Sequence, residues 1–179
     1  IAQMYKDAEF TSYYAHANGG TNVYFLLPNE GYKASDVMNA KNINKALNAS
    51  YYGIDEENKI IYHTSCAFPS FEASFDKDII PAVKSLGINS LFNKPDFSPF
   101  CSTDIEITQI KHVTKLKVDR KGIEGAAVSA MVGAGATGPL EGYTDVYEQF
   151  VVDKAFGYIV ESRSGVEAFT GIVNTINRL

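Results

Sequence analysis

A chain of 179 residues is long enough to bury one substantial core. With 45% hydrophobic and 21% charged residues it belongs among folded globular proteins rather than disordered ones. A formal net charge of −5 argues against a nucleic-acid or anionic-membrane partner, because phosphate binding needs a basic surface.

No apolar run approaches the roughly 20 residues that a membrane-spanning helix needs, so a soluble chain is expected. The sequence opens on Ile1 rather than Met and lacks a charged stretch followed by an apolar core. Ile1 is therefore read as internal to a longer protein, with any secretion signal upstream. Cys66 and Cys101 are read as two free thiols, one of them buried, in preference to a bridge between them.

In chain order, residues 9–16 (EFTSYYAH) carry the aromatics and Thr that suit a pleated surface. Asn18-Gly19-Gly20 supplies a turn tolerant of positive φ, and Thr21 to Leu27 is a strand-length apolar run closed by Pro28 and Asn29. The two runs predict a hairpin. Residues 35–48 place Val37, Met38, Ile43, Ala46 and Leu47 at the spacing of one or two short helices, with Ser35 as N-cap. Strands are predicted at Lys59 to Thr64 and at Ser70 to Phe75, where Phe71, Ala73 and Phe75 alternate with polar neighbours.

Asp76 to Ser85 predicts a helix with Ile79, Ile80, Val83 and Leu86 on one face, Pro81 in its first turn and Gly87 as C-cap. Asp76 and Asp78 are read as favourable charges at that helix's start. Residues 105–118 are the longest predicted strand, with Ile105, Ile107, Val113 and Leu116 at its apolar positions, and Phe156–Val160 and Ala168–Val173 are the last two. Strands outnumber helices, which gives an α+β class with antiparallel or mixed sheets.

The unusual stretch is residues 122–142, GIEGAAVSAMVGAGATGPLEG. Gly, Ala, Ser and Val bury little area, so it is poorly equipped to join a packed core. Its glycines give it the freedom to enter another protein's active site. Nothing bulky between Ile123 and Val132 prevents that half from lying in a sheet. Residues 133–138 (GAGATG) match the G-x-G-x-x-G pattern of a dinucleotide cradle, but Pro139 follows at once and no amphipathic helix begins there.

Catalytic motifs are equally thin. His16, His63 and His112 are widely separated and none stands in a metal-binding spacing; Ser129 and Ser162 lack a G-x-S-x-G context. No enzyme activity, metal or cofactor is expected from these residues.

Residues 112–127, HVTKLKVDRKGIEGAA, closely resemble the signature of the serpins, in which a histidine-bearing central strand runs into a Gly-Thr-Glu-Ala-Ala hinge. Other landmarks follow in the family's order. Val23 to Glu30 is similar to its Leu-Pro strand, Pro69-Ser70-Phe71 to Pro-Lys-Phe, and Leu86-Gly87-Ile88 with Leu91-Phe92 to a Leu-Gly-Ile-x-x-x-Phe helix end. Asp96-Phe97-Ser98 matches its Asp-Phe-Ser turn, Lys154-Ala155-Phe156 stands for Lys-Pro-Phe, and Phe169 to Asn174 resembles the terminal Phe-x-Gly-x-Val-Asn strand. Ile123 departs from the usual Thr, Gly125 from an Ala, Ala155 from a Pro and Thr175 from a common final Pro.

The resemblance identifies residues 1–179 as a single-domain fragment, the C-terminal half of a serpin, with its reactive loop at about residues 120–145. It implies a suicide pseudo-substrate for a serine or cysteine protease, whose cleaved loop inserts into the central sheet. The hinge is then Gly122, Ile123, Glu124, Gly125, Ala126 and Ala127, and Gly125, Ala127 and Ser129 are small enough to enter between strands.

The family's spacing from Gly122 puts the reactive bond at Ala136–Thr137, which suits elastase-like or subtilisin-like proteases. Counting back from Phe156 puts it near Thr144, and Met131, Leu140 and Tyr143 are other cut sites. The absent N-terminal half is the expected intramolecular partner. Without it the fragment is expected to be a substrate rather than an inhibitor, and to self-associate through open sheet edges. A secreted location follows from the resemblance, and a non-inhibitory serpin with a binding or storage role is the alternative.

Overall fold

The computed structural model describes residues 1–17, 20–100, 102, 105–119, 122–123 (backbone only) and 140–176. They form β1 (Tyr5–Lys6), β2 (Phe10–His16), β3 (Asn22–Pro28), α1 (Ala34–Val37), α2 (Ala40–Asn48), β4 (Ile54–Asp55), β5 (Ile60–Ala67), β6 (Phe71–Asp78) and α3 (Ile80–Ser85). A 3-10 turn at Ser90–Phe92 follows, then β7 (Lys111–Asp119), β8 (Gly122–Ile123), β9 (Thr144–Val151), β10 (Phe156–Glu161) and β11 (Glu167–Val173). The strands make three sheets, ordered β1-β2-β3-β10-β11, β4-β5-β9 and β6-β7-β8. An α+β chain with mixed sheets is what the strand-rich pattern predicts, and β5 with β9 supplies the parallel pair that makes it mixed.

Contacts divide the chain into two compact units, Ile1–Glu72 with Lys117–Leu179, and Ala73–Leu116. The first holds the core. Its predicted hairpin is present: β2 and β3 pair antiparallel from Phe10↔Pro28 to His16↔Asn22. Gly20 takes φ +86°, the left-handed conformation a tight return needs, while Asn18 and Gly19 lie outside the described residues. β3 lies between β2 and β10, so both of its edges are paired, and side chains on both of its faces are buried; a run such as VYFLL is what a doubly buried strand requires. On one face Tyr24 and Leu26 join Phe10, Val37, Ala46 and Ile159. On the other, Phe25 stacks on Phe68 with ring centroids 4.7 Å apart and meets Phe156 at 5.9 Å.

The two short helices cover the first of those faces, with Val37 and Ala46 fully buried. Their caps differ from expectation. Ser35 lies inside α1, whose N-cap is Lys33, and Asp36 closes the turn by accepting from the Lys33 amide at 2.8 Å. The side chain that caps α2 is Asn39, which accepts from the Asn42 amide at 3.0 Å. Lys45 of α2 reaches the Asp7 carboxylate at 2.6 Å and holds it below the usual aspartate range.

In the second unit, α3 begins at Ile80, later than the pattern predicts, with Pro81 in its first turn, where a missing amide hydrogen costs nothing. Gly87 follows at φ +87° as the expected helix stop. Asp76 and Asp78 therefore close β6 rather than open a helix. Asp76 pairs with Lys111 at 3.2 Å, and Asp78 accepts from the amides of Ile80 and Ile110. The apolar face read for α3 is not buried, and Leu86 is 79% exposed.

The strand expected over 105–118 starts only at Lys111. Alternation at Ile105 and Ile107 describes a local face, whereas a strand also needs a hydrogen-bonded neighbour along its length. One whole strand, β9, is absent from the sequence expectations. They assigned its first two residues to the reactive loop and the rest to no element.

Candidate functional site

The sequence singles out the stretch between β7 and β9, and its two roots are described. At the near root, β7 turns back into β8, with Val118 opposite Ile123 and Asp119 opposite Gly122 in antiparallel register. Val118 is fully buried. Gly122 and Ile123, the two residues with which the expected hinge opens, form a short strand on β7. Glu124, Gly125, Ala126, Ala127, Ser129, Met131, the glycines of 133–138, and Ala136 with Thr137 lie outside the described residues.

At the far root, Leu140 is exposed and its carbonyl accepts from the Tyr143 amide at 3.1 Å, across a turn where Gly142 takes φ +83°. The Thr144 amide then donates to the Lys59 carbonyl at 2.8 Å. From there β9 runs parallel to β5, from Ile60↔Thr144 to Ala67↔Val151. Side chains cross that seam. Lys59 Nζ lies 3.2 Å from the Tyr143 hydroxyl and 4.9 Å from its ring centroid. His63 Nε2 bonds Asp145 Oδ1 at 2.7 Å while its ring stacks on Tyr147 at 4.8 Å. From β1, outside that seam, Lys6 Nζ reaches Glu148 Oε1 at 2.5 Å. The far end of β9 is anchored differently, by the buried Phe150 stacked on Tyr13 at 5.6 Å and by Val152.

The polar residues weighed for catalysis are engaged separately. His16 Nδ1 lies 2.8 Å from Asn22 Oδ1, His63 binds Asp145, and His112 meets the Phe75 ring edge-on at 5.7 Å. Ser162 accepts from the Val166 amide in the β10–β11 turn. Among the described residues no group of three or more His, Cys, Asp or Glu is placed to hold a metal ion, and no helix is long and apolar enough to cross a membrane.

Cys66 is a free thiol on β5, and burial pushes it up to about 12, so it carries almost no thiolate at neutral pH. Alkylation at pH 8 followed by mass spectrometry is expected to leave Cys66 unmodified in the native protein and to label it fully in denaturant. Cys101 lies outside the described residues.

A family model described as Serpin (serine protease inhibitor) matches residues 4–176, almost the entire chain. The chain belongs to the serpin family. Among curated serpin relatives, Serpin-Z10 of Arabidopsis thaliana is 33% identical over 112 residues, which cover 59% of this chain and 28% of that protein. Pigment epithelium-derived factor of Bos taurus is 28% identical over 95 residues, covering 52% of this chain and 21% of that one.

The fold matches solved serpins along nearly its whole length. Serpin48 of the insect Tenebrio molitor aligns with a TM-score of 0.65 at 20% identity, covering 98% of this chain and 44% of that one. Human thyroxine-binding globulin, solved in complex with thyroxine, aligns with a TM-score of 0.67 at 18% identity, covering 99% of this chain and 46% of that one. The chain therefore spans less than half the length of these serpin structures. The family landmarks read from the sequence fall on real elements: Val23 to Pro28 in β3, Phe71 opening β6, and Phe169 to Val173 in β11.

Proposed function

We propose that this chain is the loop-bearing part of an inhibitory serpin, a pseudo-substrate that traps a serine or cysteine protease and does not itself catalyse a reaction. The supporting observation is the register at the near root. Ile123 pairs with Val118 and Gly122 with Asp119, so the hinge starts out as a strand running back along β7. Continued in that register, alternate residues Gly125, Ala127 and Ser129 would share the face of Ile123 and of the buried Val118. They are the small residues that an inserted strand must carry on a covered face.

In this reading the protease cuts Ala136–Thr137, the new end stays acylated, and residues from 124 onward insert beside β7. Ala136 directs the bait to elastase-like or subtilisin-like enzymes with small primary pockets, and the protein acts outside the cell. Insertion needs a strand on the other side of the new one, which the rest of the serpin fold supplies. The 179 residues alone are then a substrate, and their open sheet edges favour self-association.

A panel of elastase-like, subtilisin-like, trypsin-like and papain-like proteases mixed with the full-length parent tests this. The expected result is a band at the summed mass on a denaturing gel, with cleavage after Ala136 read by mass spectrometry. Cleavage without that band would leave the non-inhibitory reading. Ile123 in place of the usual Thr and the likeness to a hormone-binding fold relative are the observations on that side.

A further inference from the structure

Of the asparagines in the chain, only Asn48 stands in the spacing Asn-x-Ser/Thr with a residue other than proline between, as Asn48-Ala49-Ser50. The spacing carries chemistry because sugar is coupled to an asparagine amide where a hydroxyl stands two residues further on. A three-residue pattern also arises by chance, so the surroundings of Asn48 decide whether the folded protein can carry what the pattern offers.

α2 lies on the sheet through Asn42 and Ala46, both buried, and turns Lys41, Asn44 and Asn48 to solvent in one row at helical spacing. Asn48 is the last residue of the helix, and Ala49 leaves it in an extended conformation at φ −71° and ψ 152°. Ser50 is exposed as well. It is held through its carbonyl, which accepts from Gln3 Nε2 at 3.2 Å, and among the described residues its hydroxyl bonds nothing.

The bonding of the Asn48 amide survives substitution. Nδ2 donates to the Asn44 carbonyl at 2.9 Å and to Asn44 Oδ1 at 3.0 Å. A glycosylated amide keeps one of its two hydrogens, so one of these bonds persists. Losing the other costs little, because an exposed acceptor is satisfied by water. Asn42 on the same helix makes the contrast. It is fully buried, its amide donates to Glu9 Oε2 at 2.7 Å, and Ile43-Asn44 gives it no hydroxyl at the required place. The asparagine that could not carry a bulky polar group lacks the pattern, and the one that has the pattern is free to carry it.

We infer that Asn48 is a modification site, the acceptor for an N-linked oligosaccharide on the solvent face of α2. The inference rests on the extracellular reading above. In the transfer, Asn48 Nδ2 bonds to the anomeric carbon of a lipid-pyrophosphate-linked oligosaccharide. The bond from that carbon to phosphate breaks, the lipid pyrophosphate leaves with the electron pair, and the amide gives up one proton. The glycan then stands on a row of polar side chains, so it displaces water and no packed contact.

The full-length protein, expressed in eukaryotic cells and recovered from the medium, tests this. The peptide that contains residue 48 is read by mass spectrometry before and after enzymatic release of N-glycans, which leaves Asp where a substituted Asn stood. The wild-type peptide is expected to carry glycan in most molecules and to return as the Asp form. Asn48→Gln and Ser50→Ala are expected to lose the glycan and to run faster on a denaturing gel, and Ser50→Thr to keep it. Ser50→Ala removes no hydrogen bond, so its thermal midpoint should stay near that of enzymatically deglycosylated wild type, which separates loss of the acceptor pattern from loss of the fold.

An unmodified wild-type peptide from secreted protein, or a glycan that persists in Ser50→Ala, would overturn the inference. Protein retained in the cell and absent from the medium would remove the extracellular reading instead. The same chain sent through the secretory route by a fused leader then decides whether Asn48 accepts a glycan.

Discussion

On the proposed inhibitory reading, full-length protein carrying Ala127→Arg is expected to be cut by a protease that the wild type traps, at the wild-type rate, and to form no complex that survives denaturation. The pairing of Ile123 with Val118 sets the parity of the hinge, because antiparallel partners point to the same side of a sheet. Val118 is fully buried, so residues 125, 127 and 129 would enter the covered face, and 124, 126 and 128 the opposite one. An arginine driven into the covered face without a partner costs about 3–5 kcal/mol. Each 1.4 kcal/mol is about a factor of ten in partition between trapping and release, so that cost is enough to turn an inhibitor into a substrate.

Ala126→Arg is the control. It adds the same charge one residue away, on the other face, and is expected to leave most trapping intact. The outcome is read as the ratio of complex to cleaved protein on a denaturing gel. Trapping retained by Ala127→Arg and lost by Ala126→Arg would shift the register by one residue, and trapping by both would remove insertion as the mechanism.

What could be read from the sequence follows from where each element finds its partner. β3 and β10 were legible because the apolar runs VYFLL and FGYIV are buried on both faces, β2 because its aromatics suit a pleated surface and a turn signal separates it from β3, and β11 from a short apolar run although none of its residues is fully buried. The helical stretch 35–48 was legible from its apolar spacing, but Ser35 was read as its cap because Ser and Asn are equally good caps and only the fold shows which side chain meets the free amide. β9 was invisible for a different reason. Its residues TDVYEQFV bury only Phe150 fully, and the strand exists because β5 lies alongside it in parallel register.

The same distance hid the far root of the loop. Lys59 meets Tyr143 across 84 residues, and His63 meets Asp145 across 82, separations at which no local spacing rule applies. His63 stands outside any metal-binding spacing, and nothing around it in the sequence marks a cross-strand carboxylate. The hinge was the reverse case. Its small residues stand out as a composition, and of them Gly122 with Ile123 falls in the described pairing on β7.

Replacement of Phe25 by alanine is expected to destabilise the protein by about 3–5 kcal/mol, the usual cost of emptying a buried aromatic site. Phe25 is fully buried in the middle of β3 and pairs with Tyr13 on one side and Tyr158 on the other. Its ring stacks on that of Phe68 and meets that of Phe156, and Phe156 in turn packs edge-on to Phe71 at 5.4 Å. Removing it opens a cavity among rings that strand pairing holds in place, so little collapse is available to fill it.

Phe25→Leu keeps most of the volume and is expected to cost under about 1.5 kcal/mol. The consequence reaches the far root, because Tyr13, opposite Phe25, is the residue on which Phe150 of β9 stacks. Urea unfolding of the full-length protein measures the effect. A lower midpoint with an unchanged slope is expected for Phe25→Ala, with a smaller shift in the same direction for Phe25→Leu. Equal midpoints for the two variants would mean that the loss comes from the ring contacts rather than from the emptied volume. A midpoint matching wild type in both would mean that this face of β3 is not where the fold draws its stability.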